Sequence, residues 1–337
     1  MPFVLAANTP RMFYRGAGRI ARFRGMAPPP DPYHPEDWVA STTSRFGAAP
    51  AGLSTLPDGR LLADAIAADP AWWLGPAHLA VHGADPAILV KLLDAGQRLP
   101  LHVHPDRRFA TTHLASPYGK TEAWIIIEAA PDAVVHLGFT RDITPTQLAG
   151  WVTGQQITAM LDATNQVPVR AGDAVLCPAG VPHAIGPGIL LVEVQEPTDL
   201  SVLLEWDGFP LAGPGHLGLG YDLALTCVDR SGWGPDRLAD LRRSRPAERP
   251  SVTRLFPESA DPFFAAERLH PDPTSALEPA FSVLVITAGS GVLDAEHQPA
   301  VPVHAGQTLL IPYAAGQCAL RGTVEAVRCK PAQPVPR

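Results

Sequence analysis

The chain has 337 residues, 46% hydrophobic and 18% charged, which is enough to bury a substantial core and too apolar for a disordered protein. A formal net charge of −7 leaves no basic field for a nucleic-acid backbone. Thirty-eight prolines and 29 glycines disfavour a helical bundle and favour short strands joined by turns, and no run of 18 apolar residues offers a membrane span.

The opening stretch, MPFVLAANTPRMFYRGAGRIARFRG, lacks the apolar core of a signal peptide. Its Arg11, Arg15, Arg19, Arg22 and Arg24 read as a solvated basic face; the sharper reading is that one or two reach an anionic substrate group. GRLLADAIAAD, 59–69, has helical spacing. AILVKLLDAG, 87–96, fits either period and is read as a strand because β-rich sequence follows; Lys91 interrupts it, as a snorkelling or a functional lysine. AWIIIEAAPDAVVHLGF, 123–139, reads as a hairpin around Pro131 and Asp132. Thr144-Pro145-Thr146-Gln147 has the form of a capping box with proline at the first helical position, and a second short helix is expected near 155–162. Strand periodicity returns from 167, and a charged, proline-bearing stretch at 228–250 reads as a linker before a second β-rich block. The expected organisation is a first domain with helical insertions over 1–228, a linker over 229–252 and a C-terminal domain over 253–337. Cys177, Cys227, Cys318 and Cys329 are too scattered for a disulfide framework or a CxxC zinc site and fit a reduced, cytoplasmic chain.

One stretch sits oddly in a strand. LPLHVHPD, 99–106, places His102 and His104 two residues apart, on one face of an extended segment, where two buried imidazoles need partners. Two further segments share a pattern: GDAVLCPAGVPHAIG, 172–186, and GQTLLIPYAAGQ, 306–317, each run glycine, five residues, proline. A turn, a short buried strand and a stop would suit two related β-barrels. The first copy continues Pro178-x-Gly180-x-x-His183, which resembles the second cupin motif, while HVHPD resembles the first, with Glu122 of YGKTEAW as its later glutamate. His102, His104, Glu122 and His183 then form a metal set suited to Zn²⁺, with Fe²⁺ or Mn²⁺ as alternatives. In the second copy Gln317 stands at the histidine position and His297 and His304 stand alone, so that barrel is expected to be metal-free.

The order KLLDA, LPLHVHPD, YGKTEAW, GDAVLCPAGVPHAIG and VEVQ resembles the type I phosphomannose isomerases, and PEDWVAS at 35–41 is similar to that family's G-E-x-W-x-x-S. The resemblance covers most of 10–205 and, more loosely, the C-terminal block. It implies a mainly β fold of two cupin-type, jelly-roll barrels and a zinc-dependent aldose–ketose isomerase. The implied metal ligands are His102, His104, Glu122 and His183, with His102 in place of the family's glutamine; the family's motif lysine falls on Lys120. One departure matters more. The family's active-site arginine falls on Val202 or Leu203, depending on a one-residue gap, which puts mannose 6-phosphate itself in doubt as substrate.

The candidate catalytic residues are Lys120, to polarise an oxygen or act as a base if desolvation lowers its pKa, Lys91, and Glu205 near the barrel mouth. Glu193 and Gln195 share a face that is either lumen or solvent. Asp106 is expected to cap a turn, and His113, His136 and Cys177 to be structural. The function read is a metal-dependent isomerase of a sugar or sugar phosphate other than mannose 6-phosphate. A metal-dependent oxygenase-class cupin and a non-catalytic carbohydrate-binding protein are the alternatives. Expected partners are a small-molecule sugar or sugar phosphate and a second copy in a homodimer, with no nucleic acid and no membrane.

Overall fold

A computed structural model describes residues 1–211 and 215–332; 333–337, the end of the expected C-terminal domain, lie outside the described residues. The strands of the first part are β1 (Phe3–Val4), β2 (Glu36–Val39), β3 (Leu89–Ala95), β4 (His102–Val103), β5 (Glu122–Ala129) and β6 (Val134–Phe139). They continue as β7 (Thr164–Pro168), β8 (Ala174–Cys177), β9 (His183–Ile185), β10 (Ile189–Gln195), β11 (Val202–Leu203) and β12 (Arg242–Arg243). The last part holds β13 (Val252–Arg254), β14 (Phe264–Leu269), β15 (Thr274–Leu277), β16 (Ser282–Ala295), β17 (Val301–His304), β18 (Thr308–Ile311) and β19 (Cys318–Pro331).

The chain is mainly β, and the described ladders are antiparallel. One sheet runs β12-β8-β5-β10-β3-β2 and a second runs β11-β4-β9-β6-β7. β3 and β10 are buried along their whole length, because each has a neighbour on both edges and a covered surface on both faces. The expected hairpin at 123–139 does not form as such. β5 pairs with β8 and β10, while β6 crosses to the other sheet and pairs with β7 and β9. Ala130 and Ala133 turn the chain over an edge, and the apolar run is split between two layers.

The helices lie where the spacing placed them, at Leu62–Ala68, Pro145–Thr153 and Ile157–Asp162. The Thr144 hydroxyl accepts from the Gln147 amide at 3.1 Å, capping the second of these. Asp106 caps the helix Arg107–His113 by accepting from the Phe109 amide at 2.7 Å.

The last part forms a further sheet, ordered β1-β18-β16-β19-β14-β13, with β15 on β19 and β17 on β16. Its edge is completed from the other end of the chain, since Phe3 and Val4 pair with Leu310 and Leu309. Arg24 reinforces this junction. Its guanidinium donates to Asp37 and Thr308, both at 2.8 Å, and to the Leu5 carbonyl at 2.6 Å. A continuous apolar cluster joins Ile125, Val175 and Leu190 to Phe256, Phe264 and Val327. The stretch 229–252 is pinned to the first part: buried Trp233 covers Gly138, and β12 extends the first sheet beside β8.

Candidate metal centre

The register of two short strands brings the first imidazoles together. β4 and β9 pair His102 directly with His183, and their ring centroids lie 4.1 Å apart. His104, just past the end of β4, stands 4.9 Å from the His102 ring and 4.8 Å from the His183 ring. Each Nδ1 meets a backbone carbonyl at 2.8 Å: Pro100 for His102, Leu200 for His104 and Val181 for His183. A carbonyl only accepts, so each Nδ1 carries the proton and each Nε2 presents a lone pair. Burial, then the neighbouring His183, holds the His102 pKa well below the ordinary value. Burial, then the Lys120 ammonium, brings His104 down to about 3.

Glu122, at the start of β5, closes the group. Its Oε2 is 3.0 Å from His104 Nε2 and its Oε1 is 3.2 Å from His183 Nε2. Trp124 Nε1 donates to Oε1 at 3.0 Å and orients the carboxylate. Burial alone would raise the Glu122 pKa, but Lys120 and His104 outweigh it and hold the carboxyl well below its usual range. His183 Nε2 is buried and has no hydrogen-bond partner among the described residues. With three imidazole lone pairs and a carboxylate buried close together, and His183 Nε2 orphaned, these residues fit a divalent metal. Cys177 lies opposite Glu122 in the ladder and close to His183, but burial pushes its thiol well up, and it stands as a protonated core residue.

The face of the first sheet beside this group carries a chain of buried charges. Lys91, Glu193 and Trp124 are directly opposite one another across β3, β10 and β5. Lys120 Nζ donates to Glu122, to Glu193 at 3.2 Å and to His104 Nε2 at 2.8 Å. Lys91 Nζ is 3.4 Å from Glu36 and 3.9 Å from Glu193, and it sits 4.6 Å from the centroid of the Trp38 ring. Glu36 accepts from the Tyr14 hydroxyl and, at 2.6 Å, from Trp38 Nε1. Burial works to lower the Lys120 pKa, yet Glu122 and Glu193 overcome it and hold the ammonium above the ordinary lysine value, which favours the oxygen-polarising role over that of a desolvated base. Glu193 moves the other way. Burial, then the charge of Glu122, pushes its carboxyl up to about 7.

These groups open on a cavity of about 460 Å³, lined among others by Tyr14, Glu36, Lys91, His102, Lys120, Glu122, Glu193 and Asp199. The lumen reading of Glu193 is therefore the one realised. Gln195 is buried too, and its amide donates to the carbonyls of Glu196 and Thr198 at 3.0 and 2.6 Å.

Lys120 and Lys91 stand with the imidazoles, but Glu205 does not. It is buried in a two-pronged ion pair with Arg98, both contacts at 2.6 Å, and accepts from the Leu101 amide at 2.8 Å. That saturated carboxylate is a strut under β4. His136 is likewise engaged, with Thr164 at 2.8 Å, and His113 packs on the Phe109 ring.

None of the five arginines of the opening stretch lines the cavity among the described residues. Arg11 pairs with Asp31, Arg19 with Asp94, Arg22 with Glu128 and Arg24 with Asp37, while Arg15 donates to Gln97. Of the two positions proposed for the family arginine, Val202 points into an apolar cluster and Leu203 lines the cavity, packed on the Gly215 backbone. Tyr14, Glu36, Arg45 and Asp199 are lining residues that sequence reasoning had not singled out as site residues. Glu36 was within reach, since it belongs to PEDWVAS; Tyr14 and Arg45 belong to no motif.

The antiparallel strands thus bring His102, His104 and His183 together, with Glu122 against His104 and His183, and the mainly β chain carries a candidate metal centre. More particularly, it is similar to the phosphomannose isomerases, in line with the motifs. No family model matches the chain. Mannose-6-phosphate isomerase ManA of Bacillus subtilis is 34% identical over 123 residues, 35% of this chain and 36% of that relative. Mannose-6-phosphate isomerase of Streptococcus mutans is 35% identical over 114 residues, 34% of each chain. The matched stretch thus spans about a third of the length of these curated relatives. The likeness of fold runs further. The crystal structure of mannose 6-phosphate isomerase from Bacillus subtilis superposes with a TM-score of 0.76 over 97% of this chain and 99% of that one, at 20% identity. No helix among the described residues is long and apolar enough to cross a membrane.

Proposed function

We propose that the chain is a metal-dependent aldose–ketose isomerase of the phosphomannose isomerase type, acting in the cytoplasm on a sugar or sugar phosphate other than mannose 6-phosphate. The observation that carries this reading is the convergence of three carbonyl-anchored imidazoles and Glu122 on one point, with Lys120 and Glu193 beside them on a single cavity. His102, His104, Glu122 and His183 would hold the ion, with zinc the metal of choice for three nitrogens and a carboxylate. A divalent ion held there would supply Lewis-acid polarisation of the sugar's reacting carbonyl.

The chain's own groups do the rest. Glu193, with its carboxyl near neutrality, takes the proton from C2 of an aldose and returns it to C1. The hydroxyl proton passes from O2 to O1, so the sugar is isomerised without an external oxidant or reductant. Lys120, kept protonated by Glu122 and Glu193, donates to the oxygen on which charge develops. Lys91 acts one step back, holding Glu36 and Glu193 in place. The sheet of 253–332, treated as a separate domain, carries no role in this chemistry and serves structure or dimer formation.

The substrate reading rests on Val202 and Leu203, two apolar side chains where a guanidinium would be expected. The test is a magnetic-resonance screen of free and phosphorylated aldoses with zinc-loaded protein. One aldose–ketose pair is expected to interconvert, and no turnover of any sugar by metal-replete protein overturns the isomerase reading. Turnover of mannose 6-phosphate at about 10 per second or faster overturns the substrate reading alone.

A further inference from the structure

The cavity lining carries three cations, Lys91, Lys120 and Arg45, and four carboxylates, Glu36, Glu122, Glu193 and Asp199. Lys91 and Lys120 are buried and committed to Glu36, Glu122 and Glu193. Arg45 lines the same cavity and, among the described residues, has no carboxylate within ion-pair distance. Among the described residues its one side-chain hydrogen bond goes from Nη1 to the Arg11 carbonyl, and the Nε and Nη2 donors meet no acceptor there.

The loop that carries Arg45 is held from both sides. The Arg45 amide donates to Ala51 O at 2.7 Å, the Ala48 amide donates to Arg45 O at 3.0 Å, and the Phe46 amide donates to Asp199 Oδ2 at 3.0 Å. The guanidinium is thus fixed at its root and free at its tip. It is half-buried beside Phe46, which is 51% exposed, whereas the imidazoles of the metal group are at most 8% exposed. It therefore belongs to the open end of the cavity. Met12, Phe13 and Leu211 line the same space, and apolar walls strengthen a charge interaction by keeping water away from it.

We propose that Arg45 is a specificity-determining residue: its free guanidinium edge holds a phosphate group on the end of the sugar remote from the reacting carbons. A planar fork of N–H donors matches two phosphate oxygens. The β11 position that would otherwise bring a cation to this cavity is Leu203, so the charge comes from the loop after β2 instead. This rests on the isomerase reading for the identity of the ligand as a sugar, but its test does not require turnover.

The test is calorimetric binding of a hexitol 6-phosphate and of the unphosphorylated hexitol to metal-loaded protein; neither compound has a carbonyl to isomerise. The wild-type chain should prefer the phosphorylated compound by about tenfold or more, the usual worth of a charged hydrogen bond. Arg45→Met should abolish that preference at unchanged metal content, and Arg45→Lys should restore part of it. If isomerase activity is found, Arg45→Met should raise KM for a phosphorylated substrate with kcat little changed. An equal preference in Arg45→Met and wild type overturns the proposal, as does failure of the wild-type chain to prefer the phosphorylated hexitol. A wild-type preference that Arg45→Met abolishes, in a protein that isomerises no sugar, sustains Arg45 as an anion anchor and sinks the isomerase reading separately.

Discussion

The two copies of the glycine–strand–proline device can be set side by side. In the first, Gly172 at φ +95° leads into β8, Pro178 ends it, and the chain delivers His183 to a buried face against His102. In the second, Gly306 at φ +88° leads into β18, Pro312 ends it, and the matching residue, Gln317, is exposed. Both glycines occupy the left-handed region that a side chain resists. The strand geometry is therefore a packing solution that both regions use. The chemistry is a separate addition, made only where a second strand of the right register brings more imidazoles to the same point.

The largest break in this comparison should come from His183→Ala. The protein is expected to hold about one divalent ion per chain, and this variant should lose it and all turnover, while Gln317→Ala keeps both; elemental analysis of the purified proteins decides. Lys120→Met should come next. It removes the donor beside the reacting oxygens, and kcat should fall about 10²–10³-fold with the cavity otherwise intact. Metal content in this variant separates lost chemistry from a lost site.

Glu193→Gln should lower kcat by about 10²-fold or more, and it should change the shape of the pH profile. A base must be ionised to accept a proton. Since the Glu193 carboxyl is pushed up to about 7, kcat/KM in the wild-type protein should fall as pH drops through that value, and the glutamine variant should lack this limb. His102→Gln should retain metal but bind it more weakly, visible as faster loss to a chelator, because an amide oxygen is a poorer zinc donor than imidazole.

The smallest effects sharpen the comparison within the backbone itself. Gly172→Ala should cost about 1–2 kcal/mol in thermal unfolding, since a new Cβ would meet only the movable Arg245 side chain at 3.0 Å. Gly306→Ala should cost more, because its Cβ would lie 1.9 Å from the Phe23 carbonyl.

Where the sequence was legible, it was so because a local rule fixed the outcome. The Thr144 cap, the Asp106 turn and the His102 and His104 pair each follow from neighbours a few residues away. The failures share a different cause. Nothing in AWIIIEAAPDAVVHLGF tells whether β5 turns back on itself or hands the chain to another sheet, because both produce two apolar runs around a proline. Glu205 looked available because its partner, Arg98, lies 107 positions away. Tyr14 and Arg45 entered the cavity by tertiary folding alone, from segments whose spacing carries no signal. The sequence leaves Lys120 open between polarising an oxygen and acting as a base, because only the tertiary positions of Glu122 and Glu193 decide the sign of its pKa shift.

The seam between β1 and β18 bears on how the molecule can be divided. Cutting in the stretch 229–252 would yield one fragment that keeps Phe3 and Val4 and another left with the bare backbone edge of β18. An unpaired edge recruits other chains, so the second fragment expressed alone should be prone to self-association. Supplied in trans, a peptide covering the first 25 residues would bring back both that edge and the Arg24 clasp on Thr308. The two halves are thus stitched by their most distant segments, and the protein is better suited to complementation between fragments than to dissection into independent modules.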